Sequence, residues 1–207
     1  MELFELIAAA ALGIALSASA GLRAFLPLFV AGLAARVWRP ELLGDSFQWL
    51  QETPALIALG IAVVAELAAD KVPALDHLLD AVQGPVRTGA GVLAAAAVAG
   101  AELPAWATAL VAVVGGSVAL GTHSAKSLLR VGSTAATGGL ANPVISFLED
   151  VLSLLISVLS ILAAVLALLF AFLALTTLFV LGRRVWRWLR ARRGGKDLPA
   201  PVEGPPA

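Results

Sequence analysis

Cysteine and tyrosine are absent from this sequence, which has a single methionine and two histidines. Without cysteine, disulfide frameworks, thiolate metal sites and redox pairs are excluded. With only His77 and His123 to offer imidazole, no resident transition-metal site is expected. Charge is scarce too: 14% of residues are Asp, Glu, Lys or Arg, against roughly 25% in ordinary soluble domains. The glycine-rich phosphate-loop pattern and the serine-hydrolase, zinc-protease and kinase signatures are missing, so the chain is not expected to be an enzyme or to hold a cofactor. A basic leader is missing as well. Glu2 and Glu5 stand where a secretory signal would be positive, so the first apolar run is expected to be retained.

What remains is apolar. Hydrophobic residues make up 60% of 207, with a mean hydropathy of +0.94. That composition describes an integral membrane protein, and at about 20 residues per helix the length allows five or six spans. The expected fold is all-α: a polytopic helical membrane domain over residues 1–193, followed by a disordered, proline-rich tail over 194–207.

Residues Leu6 to Val37 would make a helix of about 48 Å, too long for a hydrocarbon core of about 30 Å. Ser17-Ala-Ser-Ala-Gly-Leu-Arg23 and Pro27 interrupt the run, which predicts either a kinked span or, preferably, a hairpin with Arg23 at its turn. Glu41 to Glu52 reads as an interfacial loop. Pro54 opens the next helix, Pro73 starts an amphipathic segment that Gly84-Pro85 breaks, and Asn142-Pro143 starts the last helix. Broken or re-entrant segments are expected around 17–27, 70–87 and 127–143.

Seven of the fourteen Lys and Arg residues fall between Arg183 and Lys196, beside Trp186 and Trp188, which predicts a cytoplasmic C-terminus. Counting spans backwards puts Arg36 and Arg39 on that same side. The remaining ionisable residues would then lie toward the opposite, outer half of the bilayer.

Those residues form two sets. Glu66, Asp70, Lys71, Asp76, His77, Asp80 and Arg87 make the first; His123, Lys126, Arg130, Glu149 and Asp150 make the second, linked by the Gly/Ser/Thr-rich stretch Gly132 to Asn142. Ionisable groups at membrane depth are costly, about 2.5–3.5 kcal/mol each, and those retained pair, face a wet cavity or handle a substrate. Glu66 and Asp70, one helical turn apart, could bind a cation or share a proton. Asp76, His77 and Asp80 resemble half a metal site, but such triplets are common on solvated helix faces. Arg23, Lys71, Arg87, Lys126 and Arg130 could hold an anion, while the bland reading has each neutralise an acid. Asn142 lies in a stretch that could expose backbone groups to a cavity or be an ordinary loop.

The chain resembles a family of bacterial membrane proteins catalogued as domain of unknown function 4126. The resemblance rests on Ala20-Gly-Leu-Arg-Ala-Phe-Leu-Pro-Leu28, Glu66-Leu-Ala-Ala-Asp-Lys-Val-Pro73 with Asp76-His77, Gly121-Thr-His-Ser-Ala-Lys126, and Thr137-Gly-Gly-Leu-Ala-Asn-Pro143 with Glu149-Asp150. It implies a membrane fold and ties these polar segments into one feature, without adding a substrate.

The functional expectation is a small inner-membrane transporter or channel-like protein whose site combines Glu66, Asp70 and Asp76 with Arg23, Lys71, Arg87 and Lys126. The alternatives are a structural or assembly protein whose charges pair for packing, and a carrier of lipid-linked phosphate. An intramembrane enzyme with His77 or His123 as base ranks below them. Expected partners are the lipid bilayer, a small ion or anionic ligand and a second copy of the chain, with no nucleic acid.

Overall fold

A computed structural model describes residues 3–69, 73–162, 173, 176–188 and 190, with side chains described from residue 5 and not between 70 and 81. Among these residues the chain is all-α. Its helices are α1 (Leu3–Leu22), α2 (Leu26–Val37), α3 (Thr53–Ala69), α4 (Pro73–Ala99), α5 (Ala105–Thr137), α6 (Asn142–Leu162) and α7 (176–188). Two short 3-10 turns, Pro40–Leu42 and Asp45–Gln51, join α2 to α3.

α1 stops at Leu22, and the helix breaks just ahead of Pro27. Its ring has no N–H to donate to Arg23 and would crowd that carbonyl, yet it suits the first turn of α2. α2 then reverses direction. Leu22 lies beside Arg87 at the middle of α4, whereas the Gly44 amide, in the turns after α2, donates to the Ala97 carbonyl in the last turn of α4, 2.8 Å away. The hairpin with Arg23 at its turn is therefore the arrangement found. Its second arm is short, twelve residues or about 18 Å.

α1, α4 and α5 cross closely because small residues line their contacts. Ser17 donates to the carbonyls of Gly13 and Gly91 at 2.8 and 2.7 Å, and a side chain on Gly115 would fall 2.6 Å from the Ala95 methyl. The main apolar core runs from Leu12 and Leu16 through Leu28 to Leu43, Leu50 and Val98.

Three helices are long and apolar enough to cross a membrane: Glu5–Leu22, Ala105–Thr137 and Asn142–Leu162. Asp45–Gln51 with α3, bent by 66°, makes a fourth if that pair is one span. Among the described residues this is fewer than the five or six expected. α2 is too short, and α4 spends its first half on Asp76, His77, Asp80, Gln83, Gly84 and Arg87.

Two expected breaks are narrower than predicted: 73–87 is continuous helix within α4, and the break expected at 127–143 is confined to the turn at 138–141. α4 passes through Gly84-Pro85, with the Thr88 hydroxyl donating to the Gly84 carbonyl at 2.9 Å. α5 continues through the Gly/Ser/Thr-rich stretch as far as Thr137 and ends only where Gly138 (φ 64°) and Gly139 (φ 91°) take the left-handed conformation. The first three residues, 70–72, of the break expected at 70–87 and the tail at 194–207 lie outside the described residues.

The arginine clusters lie at opposite ends of the bundle, which overturns their assignment to one side. Arg36 donates to Thr53 at 2.7 Å near the α2–α3 turns, the end where Gly100 meets Thr108 at the start of α5. Val185 of α7 packs on Gly132, about seven turns along α5 from its start and near its far end.

Candidate functional site

At the break between α1 and α2 the last carbonyls of one helix and the amides leading into the next are taken by charged side chains from other helices. Glu66, near the end of α3, accepts from the Ala24 amide through Oε1 at 3.0 Å and from the Phe25 amide through Oε2 at 3.3 Å. Arg87, fully buried on α4, pairs with Glu66 Oε1 at 3.0 Å and donates to the carbonyls of Gly21, at 3.2 Å, and Leu22. Lys126 on α5 donates to the same Leu22 carbonyl at 3.3 Å. The signs follow the helix dipole: cations sit on the C-terminal end of α1 and a carboxylate on the amides leading into α2.

The network continues into α6. Lys126 pairs with Glu149 Oε2 at 3.0 Å, and Arg130 donates to that same oxygen at 3.2 Å. Arg23, 1% exposed, donates to the Ser146 hydroxyl at 3.1 Å and pairs with Asp150. A continuous chain of charge thus runs from α3 through α4 and the broken helix to α5 and α6.

Below it lies a buried hydroxyl cluster. Ser19 meets the Ser153 hydroxyl at 2.8 Å and the Ser157 hydroxyl at 2.7 Å, and also reaches the Ser153 carbonyl at 2.9 Å. Ser160 donates to the Ser157 carbonyl at 2.8 Å. This seam fastens α1 to α6 in a region without charge.

The structure brings together Arg23, Glu66, Arg87, Lys126, Glu149 and Asp150. The two ionisable sets therefore meet. His123 is buried on α5 against Gly84, its ring 3.6 Å from where a side chain at that glycine would begin. Asn142 stands apart at the start of α6, donating to Thr134 at 2.9 Å. Asp70 and Lys71 lie outside the described residues, as do the side chains of Asp76, His77 and Asp80 on the first turns of α4. The ionisable groups also lie at the α7 end of the bundle, not opposite it.

Arg130, counted among the cations but left out of the candidate set, belongs to the network. The seam serines were overlooked, although Ser146, Ser153, Ser157 and Ser160 recur on one face of an otherwise apolar helix. Among the described residues no three His, Asp or Glu side chains form a group that could hold a metal.

The profile of the family described as "Domain of unknown function (DUF4126)" matches residues 10–184. No curated protein and no solved structure matches the chain.

Proposed function

The chain belongs to the DUF4126 family, and on that premise we propose a small multi-pass inner-membrane carrier that couples a proton to a small anion at the broken first helix. The observation that carries this reading is Glu66 seated on the amides of Ala24 and Phe25 while bound to Arg87. Those amides and that guanidinium are what an anionic ligand would use at a discontinuous helix. Protonating Glu66 removes its charge from them, so a proton on the carboxylate and an anion on the vacated donors are linked events. The arginine-rich α7 end faces the cytoplasm by the positive-inside rule, and the site then opens toward the cytoplasmic half of the bilayer.

The test is proton movement into vesicles containing the purified chain and a trapped pH-sensitive dye, under imposed chloride or phosphate gradients. Wild type should carry protons in step with one of these anions, and Glu66→Gln should abolish that movement while remaining folded. Vesicles as tight as protein-free ones under every gradient would sink the carrier reading.

One observation favours a second reading, in which the charges serve packing: Arg23, Arg87, Lys126 and Arg130 all sit on carboxylates. Under it, Glu66→Gln lowers stability and no vesicle property changes.

A further inference from the structure

α7 leaves a groove of about 200 Å³ against α5, lined by Ala125 and Leu128 of α5 and by Leu178, Phe179, Gly182, Arg183 and Trp186 of α7. Apart from Arg183 its lining residues are apolar or aromatic. Leu128, Phe179 and Trp186 are all more than half exposed, so the groove opens sideways from the bundle.

Each aromatic wall carries an arginine four residues further along the chain. The Arg183 guanidinium lies 5.7 Å from the Phe179 ring centre, and that of Arg190 lies 3.7 Å from the Trp186 ring centre. Such stacking suits the planar, weakly hydrated guanidinium. Arg184 and Arg187 add charge on the same helix.

We propose that this groove binds one anionic phospholipid, an acyl chain lying along Leu128, Leu178 and Phe179 and the phosphate held by Arg183 and Arg190. The complementarity is twofold. Hydrocarbon meets the open apolar walls, while Arg183 lines the groove and Arg190 stacks on its Trp186 wall, two guanidiniums able to offer a headgroup phosphate paired hydrogen bonds. Basic pockets beside membrane helices, at the depth marked by tryptophan, are a recurring way of holding acidic lipids. The site is separate from the charged network at the helix break, so it stands whether or not the carrier reading does.

The experiment uses the full chain in detergent, with native mass spectrometry and thermal unfolding after addition of phosphatidylglycerol, phosphatidylcholine or inorganic phosphate. Phosphatidylglycerol should remain bound as one copy and raise the unfolding temperature; phosphatidylcholine and free phosphate should do neither. Arg183→Gln with Arg190→Gln should weaken phosphatidylglycerol binding about tenfold, the loss of one charge-assisted contact or more. Leu128→Trp, which fills the groove and leaves the arginines, should weaken it as well. Equal retention of the two lipids by wild type overturns the proposal, and that comparison needs no variant to fold. Unchanged phosphatidylglycerol binding in the folded Leu128→Trp variant overturns the groove as the place, and a response to phosphate alone overturns the lipid as the ligand.

Discussion

Arg87 and Glu66 are joined by a 3.0 Å ion pair whose members hold opposite sides of one helix break, the arginine on the carbonyls of Gly21 and Leu22 and the carboxylate on the amides of Ala24 and Phe25. Neither charge can be removed without leaving the other, and part of the break, unsatisfied in a buried place.

Arg87→Gln should therefore cost about 3–5 kcal/mol, the usual loss when one partner of a buried pair goes. Glu66→Gln should cost less, because the amide oxygen still accepts from one backbone N–H. The double variant should lose less than the sum of the two. Equilibrium unfolding in mixed detergent micelles measures all three; strict additivity would mean that the two residues do not act as a unit.

Close approach at the break makes a second prediction. A side chain at Gly21 would fall 2.6 Å from the Thr122 Cβ and closer still to the Ala119 carbonyl, whereas Gly121 has open space around it. Gly21→Ala should destabilise by about 1–3 kcal/mol through overpacking. Gly121→Ala, inside α5, should be neutral or stabilise by up to about 1 kcal/mol. Thermal unfolding of the two variants side by side decides it, and similar shifts in both would contradict the packing described.

How much of this was legible in the sequence depended on whether a residue acts locally. Pro27 and Arg23 mark the first break because proline at a helix start and a charge in an apolar run each have a local cause. Gly84-Pro85 looks the same on paper, yet α4 continues through it, so a glycine and proline within a helical pattern do not by themselves mark a break. The meeting of Glu66 with Arg87 and of Lys126 with Glu149 is tertiary, and no spacing along the chain encodes it. The serine face of α6 was readable by its helical period, while its partner Ser19 was not.

The seam itself is testable by a double-mutant cycle. Ser19 and Ser157 lie 2.7 Å apart with no exposure, so replacing either by Ala removes the same hydrogen bond. Their coupling should be about 0.6 kcal/mol and no more than about 1.7, the range for such bonds between membrane helices. Ser160→Ala, whose hydroxyl serves its own helix, should show no coupling to Ser19. A coupling near zero for Ser19 and Ser157 would mean that shape alone fastens α1 to α6.

Orientation gives the last prediction, and the absence of cysteine makes it clean. Trp49, 48% exposed, sits in the turn before α3, and Thr137, also exposed, ends α5 at the opposite end, near α7. If the arginines of α7 hold their end in the cytoplasm, a membrane-impermeant maleimide should label Trp49→Cys in intact cells and reach Thr137→Cys only after the membrane is opened. The reverse pattern would put Arg36 and Arg39 inside and turn the charged network, with Glu66 and Arg87, toward the outer face. Any proton taken up by Glu66 would then come from the opposite compartment, so the direction of the pH gradient that drives the proposed carrier would reverse with it.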